Sequence, residues 1–184
     1  MKKDIIMGID PGSNVMGYAF LQTVGKKKPR LISMGVLDMR KFDSQSTKLR
    51  FIHEELTKLM KIYEPALAAI EDPFYGKDAQ AMLKLGRAQG AAMSAMACQG
   101  LEVELYSPRS IKKAVTGKGN SSKEQVAAML PHVIEGEFHH KFMDATDAVG
   151  VAFCHHIQMN TGIGGGKKYS GWGQFLKDNP NRKA

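Results

Sequence analysis

The chain is poor in cysteine, in tryptophan and in long apolar runs. It has 2 cysteines and 1 tryptophan in 184 residues. Cys98 and Cys154 show no CxxC spacing and are too few for a disulfide framework or a thiolate metal site. Both lie in apolar helical contexts, where the expectation is a buried small hydrophobe. No apolar stretch reaches the roughly 20 residues that a membrane-spanning helix needs. Met1-Lys2-Lys3-Asp4 leads straight into a strand too short for the core of a secretory signal, so the expected location is cytoplasmic. Acids are also in deficit, with 18 Asp and Glu against 26 Lys and Arg, which leaves a formal charge of +8. That excess is spread along the chain and suggests a polyanionic partner, either nucleic acid or an anionic surface, with solubility as the plainer alternative. A hydrophobic share of 43% and a charged share of 24% fit a globular protein with one sizeable core.

What the sequence does have is short apolar runs that end in an acid. Ile5-Ile6-Met7-Gly8-Ile9-Asp10-Pro11-Gly12 reads as a buried strand that delivers Asp10 to the rim of a sheet, where Pro-Gly turns the chain. Val15 to Leu21 follows closely enough to make a hairpin, and Leu31 to Leu37 adds a third strand, giving an antiparallel meander. The period then becomes helical, with Leu49, Ile52, Leu56, Leu59, Met60 and Tyr63 between Thr47 and Tyr63. Asp43, Ser44 or Ser46 is placed to cap this helix, and Pro65 stops it. Ala66-Leu67-Ala68-Ala69-Ile70-Glu71 is again a strand that ends in an acid. A helix between two buried strands is a crossover, so this strand should run parallel to the first and bring Glu71 to the same edge as Asp10.

Asp78 can cap a helix running to about Cys98 that is rich in Ala and contains Gly86 and Gly90. Mid-helix glycine costs roughly 1 kcal/mol against alanine, so close packing of another backbone is expected, either on the sheet or on a second copy. Leu101–Tyr106 is the last strand, and a short helix over Arg109–Val115 follows. Thr116-Gly117-Lys118-Gly119-Asn120 has the wrong spacing for a phosphate loop. Ser121 and Glu124 have capping-box spacing for a helix ending near Pro131. A final helix spans Phe142–Met159. The domain is expected to occupy residues 1–160, with 161–184 a basic, Gly-rich tail in which Tyr169, Trp172 and Phe175 either stack on a partner or belong to a solvated coil.

The final helix carries Asp144 and Asp147 three residues apart, on the face that continues through Ala148, Val151, Ala152 and His155. This is the apolar face that should dock on the sheet. The helix dipole is worth only about 0.3–1 kcal/mol to an acid there, too little to explain two of them turned inward. Asp10, Glu71, Asp144 and Asp147 converging at one sheet edge would raise one another's pKa values, and divalent cations would remove the repulsion. An all-oxygen donor set favours Mg²⁺ or Mn²⁺ over zinc. Two such ions about 3.5–4 Å apart suit phosphodiester hydrolysis.

In order and local wording, Gly8-Ile9-Asp10-Pro11-Gly12-Ser13, Ala69-Ile70-Glu71, Leu83-Lys84-Leu85-Gly86-Arg87-Ala88-Gln89-Gly90 and Asp144-Ala145-Thr146-Asp147-Ala148 resemble the RuvC family of bacterial Holliday-junction resolvases. The resemblance covers roughly residues 4–158. It implies an α/β, ribonuclease-H-like fold with a mixed five-stranded sheet and helices on both faces. It also implies a homodimer that cuts four-way DNA junctions in recombination and repair, alongside the RuvAB branch-migration complex. Asp10, Glu71, Asp144 and Asp147 match the family's catalytic, metal-holding acids, with two Mg²⁺ per site and Mn²⁺ as a substitute. Phe74 matches an aromatic placed against bases at the junction centre, and Lys112 and Lys123 match basic residues that contact DNA or support cleavage. Asp72-Pro73 varies the family pattern, and Asp72 is expected to be a surface acid. His139 and His140 precede Asp144 and stand as metal ligands, as helpers near the phosphate or the attacking water, or as ordinary loop residues, adjacent histidines pointing in different directions in most backbones. Two alternatives stand beside it: a ribonuclease or RNA-processing relative with the same acids and no need of a junction, and a non-catalytic junction-binding or nucleotide-binding relative. The Asp10-Pro11-Gly12-Ser13 turn resembles the phosphate loop of actin-like ATPases, and the retention of all four acids argues against this second alternative.

Overall fold

Residues Asp4–Asp10 (β1), Val15–Thr23 (β2) and Arg30–Asp38 (β3) form the antiparallel meander, with Asp10 opposite Gly17 at one end of the first hairpin. The structure is a computed structural model and describes residues 4–25, 27–72, 76, 78–138 and 143–161. Helix α1 (Gln45–Tyr63) begins at Ser44, whose side chain accepts from the Thr47 amide, and ends where Glu64 turns left-handed at φ 47° ahead of Pro65. The chain then re-enters the sheet as β4 (Leu67–Glu71), parallel to β1 with Ile9 beside Ile70. Helix α2 (Ala79–Cys98) starts at Asp78, which accepts from the Gln80 and Ala81 amides. Strand β5 (Val103–Tyr106) lies parallel to β4 and completes the order β3-β2-β1-β4-β5. Helices α3 (Pro108–Thr116), α4 (Lys123–Val133) and α5 (Met143–Thr161) follow.

Alternation along β1 divides the core between the two faces of the sheet. Met7 and Ile9 pack with Ile52, Leu56 and Met60 of α1 and Ala88, Ala92 and Met96 of α2. Ile6 faces the other way, towards Val126 and Leu130 of α4 and Ala148, Val149 and Ala152 of α5. Helix α5 lies unusually close to the strands. A methyl at Gly8 would sit 2.7 Å from the Ala152 amide nitrogen, and one at Gly17 would sit 2.5 Å from the Asp144 carbonyl carbon. Only glycine leaves room for that approach. Among the described residues, no helix is long and apolar enough to cross a membrane.

The fold class and the parallel crossover agree with the sequence reading, while several details differ. Gly86 and Gly90 do not dock α2 on the sheet, because a methyl at either position would meet nothing within 4 Å. Ala88, Ala92 and Ala95 make the docking face, and the two glycines lie on its exposed side. Cys98 is exposed at the end of α2, whereas Cys154 is buried as expected. The capping box uses Ser122 and Gln125, because the buried Ser121 hydroxyl is engaged with Thr116 Oγ1 at 2.7 Å. Helix α4 carries Pro131 within its last turn and continues to Val133. The tail from residue 162 lies outside the described residues.

Candidate active site

Two strand ends and one helix start build the site. Asp10 is the last residue of β1 and Glu71 the last of β4, and their parallel pairing sets both on one rim. Tyr106 stands beside Glu71 on β5, and its carbonyl accepts from the Asp72 amide at 2.9 Å. The Gln89 side chain reaches from α2 to the Glu71 carbonyl at 3.3 Å and holds that strand end from the opposite face. Asp144 and Asp147 enter from the first turns of α5, where the Asp144 backbone lies against Gly17, the strand partner of Asp10.

The electrostatics match this placement. Burial, then the charges of Glu71 and Asp147 and, more weakly, of Asp144, push the Asp10 carboxyl up to about 8. Burial and the Asp147 charge raise Glu71 as well. Asp147 is only 12% exposed, and it accepts an ion-paired hydrogen bond at 2.5 Å from Lys123 Nζ at the start of α4. Burial works against the Lys123 ammonium, but the bond to Asp147 and the charges of Asp147, Asp10 and Glu71 outweigh it and raise its pKa. A cleft of about 120 Å³ is lined by Glu71, Pro108, Ile111, Lys112, Lys123, Val126 and Asp147. Two acids and two lysines share its lining, with Lys123 bonded directly to Asp147.

Among the described residues, no three His, Cys, Asp or Glu side chains are drawn together as a finished metal cage. The donor chemistry nevertheless fits a hard divalent cation. Four oxygen-only acids share one rim, and burial with the charges of the other three holds the Asp10 proton to about 8, a penalty that a bound cation would offset.

The family model for the crossover junction endodeoxyribonuclease RuvC matches residues 6–155. The chain belongs to the RuvC family. The RuvC of Bacteroides fragilis is 47% identical over 184 residues, covering 99% of this chain and 97% of that one. That of Porphyromonas gingivalis is 44% identical over 98% of this chain and 97% of its own. Among solved structures, Thermus thermophilus RuvC in complex with a Holliday junction substrate superposes with a TM-score of 0.80 at 26% identity, covering 86% of this chain and 96% of that chain. The yeast mitochondrial Holliday junction resolvase Ydc2 shares the fold, with a TM-score of 0.62 at 13% identity over 81% of this chain and 76% of its own. The ribonuclease-H-like architecture is therefore that of RuvC.

Of the residues named from sequence, Asp10, Glu71, Asp144, Asp147, Lys112 and Lys123 meet at this RuvC-type rim. Asp72 is exposed one step beyond it. Phe74, His139 and His140 lie outside the described residues. Sequence reasoning gave no role to Gln89 or to Tyr106. Tyr106 shares a 2.8 Å hydrogen bond with His155 Nδ1 and so ties the end of β5 to α5. Gln89 sits in the Leu83–Gly90 stretch that carried the family resemblance, which was the available signal.

Proposed function

We propose that this chain resolves four-way DNA junctions as a homodimer, each subunit hydrolysing one phosphodiester with Mg²⁺ held by Asp10, Glu71, Asp144 and Asp147. Mn²⁺ is expected to substitute, and two ions per site suit four carboxylates. When bound, the ions would supply charge neutralisation and activation of the attacking water. The chain's own residues account for the rest. Asp10 and Glu71 present oxygens from the sheet, and Asp144 and Asp147 present theirs from α5. The Lys112 and Lys123 ammonium groups give the cleft the positive charge to hold a phosphate. Phe74, three residues after Glu71, is positioned in sequence to stack on a base at the junction centre.

The observation that carries this reading is the rim itself, with four acids from three separate elements and a central Asp10 raised to about 8. A second copy is supported by the exposed side of α2, where Leu83 is 53% exposed and Gly86 and Gly90 stand open. Paired nicks on a substrate of near two-fold symmetry require two such sites. Work alongside the RuvAB complex rests on family membership. The test is cleavage of a synthetic four-way junction by wild type and Asp10→Asn, with Mg²⁺ or EDTA. Paired nicks that vanish with EDTA or the substitution, while binding persists, are the expected result. Cleavage by Asp10→Asn at the wild-type rate would remove the metal-site assignment. Equal cutting of RNA–DNA hybrids would favour the ribonuclease alternative.

A further inference from the structure

A second group of cations stands on the other flank of the carboxylate rim, away from Lys112 and Lys123. The turn after β1 and the end of β3 meet there, with Val15 opposite Asp38 and the Met39 amide donating to the Asn14 carbonyl at 2.8 Å. Lys48, from the first turn of α1, donates its Nζ to the Asn14 side-chain oxygen at 2.7 Å. Lys41 holds its Nζ 5.1 Å from the ring centroids of both Phe42 and Phe51. Between them, Arg40 is locked onto Asp38 by two bonds of 2.9 and 2.6 Å, and it lies close enough to the site for the Asp144 charge to act on it.

The partners are informative. Arg50 and Lys58, farther along α1, pair with Glu54 and Glu55. Among the described residues, Lys48 is instead held by a neutral amide and Lys41 by two aromatic faces, with Asp38, already bonded to Arg40, the acid on which the Lys41 charge acts. Such contacts fix an ammonium in place and leave its charge available to an outside anion. Strand β3 stands two strand spacings, about 10 Å, from β1, so the ledge lies a short reach along a strand crossing Asp10.

We infer that Lys41 and Lys48 form a phosphate-gripping ledge that holds the DNA backbone on the side of the scissile bond opposite Lys112 and Lys123. The ledge positions DNA and does not take part in the chemistry. This inference rests on the proposed junction cleavage. With cations on both flanks, a strand is held at two points and its scissile phosphate is suspended over the acids.

The experiment uses the full chain in EDTA and measures affinity for a synthetic four-way junction, and for plain duplex, across a salt series. Replacing both lysines with alanine should reduce the slope of log K against log salt by about 2. At subsaturating protein, single-turnover cleavage with Mg²⁺ should fall in step with affinity, since positioning cations act through binding. The Lys41→Arg/Lys48→Arg protein should recover the slope. Asn14→Ala, which removes the tether but keeps the charge, should retain it. An unchanged slope in the double alanine variant, or no recovery by arginine, would overturn the ledge. If wild type neither prefers nor cuts the junction, the proposed function fails instead, and the duplex arm still scores the ledge.

Discussion

Asp10 is the residue whose carboxyl the proposed site perturbs most plainly, and its raised pKa has a consequence for stability. Unfolded, it titrates near the ordinary 3.8; folded, it keeps its proton up to about 8. The metal-free fold therefore binds more protons than the unfolded chain across that window, and it loses stability as pH rises from about 4 to about 8. Asp10→Asn should unfold at higher denaturant than metal-free wild type at pH 8.5, by on the order of a few kcal/mol, and the gap should close near pH 4. Urea midpoints at the two pH values test this; a gap that persists unchanged at pH 4 would contradict it. Mg²⁺ at pH 8.5 should stabilise wild type and leave Asp10→Asn nearly unmoved. Lys123→Met should lower cleavage by about 10²–10³-fold, as loss of an aimed charged donor does, with the fold intact. Single-turnover rates beside circular dichroism would show both.

At the scale of elements, the site depends on how closely α5 lies over β1 and β2. Gly17→Ala places a methyl against the Asp144 backbone, which cannot yield as a flexible side chain would. It should cost about 3 kcal/mol or more in denaturant unfolding and should disturb cleavage through the displacement of Asp144. Gly86→Ala, with open space around it, should leave the subunit as stable or up to about 1 kcal/mol more so. Much of this architecture was legible from residues alone. An apolar run ending in an acid, a period-3.6 run and another apolar run ending in an acid dictate a parallel crossover, and with it Asp10 and Glu71 at one edge of the sheet. What was not legible depends on direction rather than pattern. Gly8, Gly17, Gly86 and Gly90 look alike in sequence, but the first two face a helix backbone and the last two face outward. Ser121 and Ser122 are equally good caps by composition, and the Thr116 hydroxyl takes the first. Lys123 was named by the family resemblance alone; its bond to Asp147 follows from the packing of α4 beside α5, which no local spacing reveals.

For the molecule as a whole, the exposed side of α2 carries the expectation of a dimer. Leu83→Glu should shift the protein towards monomers in sedimentation while its far-ultraviolet spectrum stays that of wild type. Junction cutting should then change from paired to single nicks. Paired nicks by a fully monomeric Leu83→Glu protein would remove the dimer from the mechanism. The wide separation of the acids along the chain also bears on how the enzyme is made. The meander is built from local contacts and can form early, and Glu71 follows with the crossover. Asp144 and Asp147 are translated roughly 70 residues later, about 4–15 s at ordinary ribosomal rates. Until then Gly8 and Gly17 have no helix over them, and the rim holds two carboxylates. If the four acids act together as proposed, a nascent chain is a harmless fragment during synthesis, and ribosome release after residue 143 or earlier should yield a protein with half of the site and no cleavage.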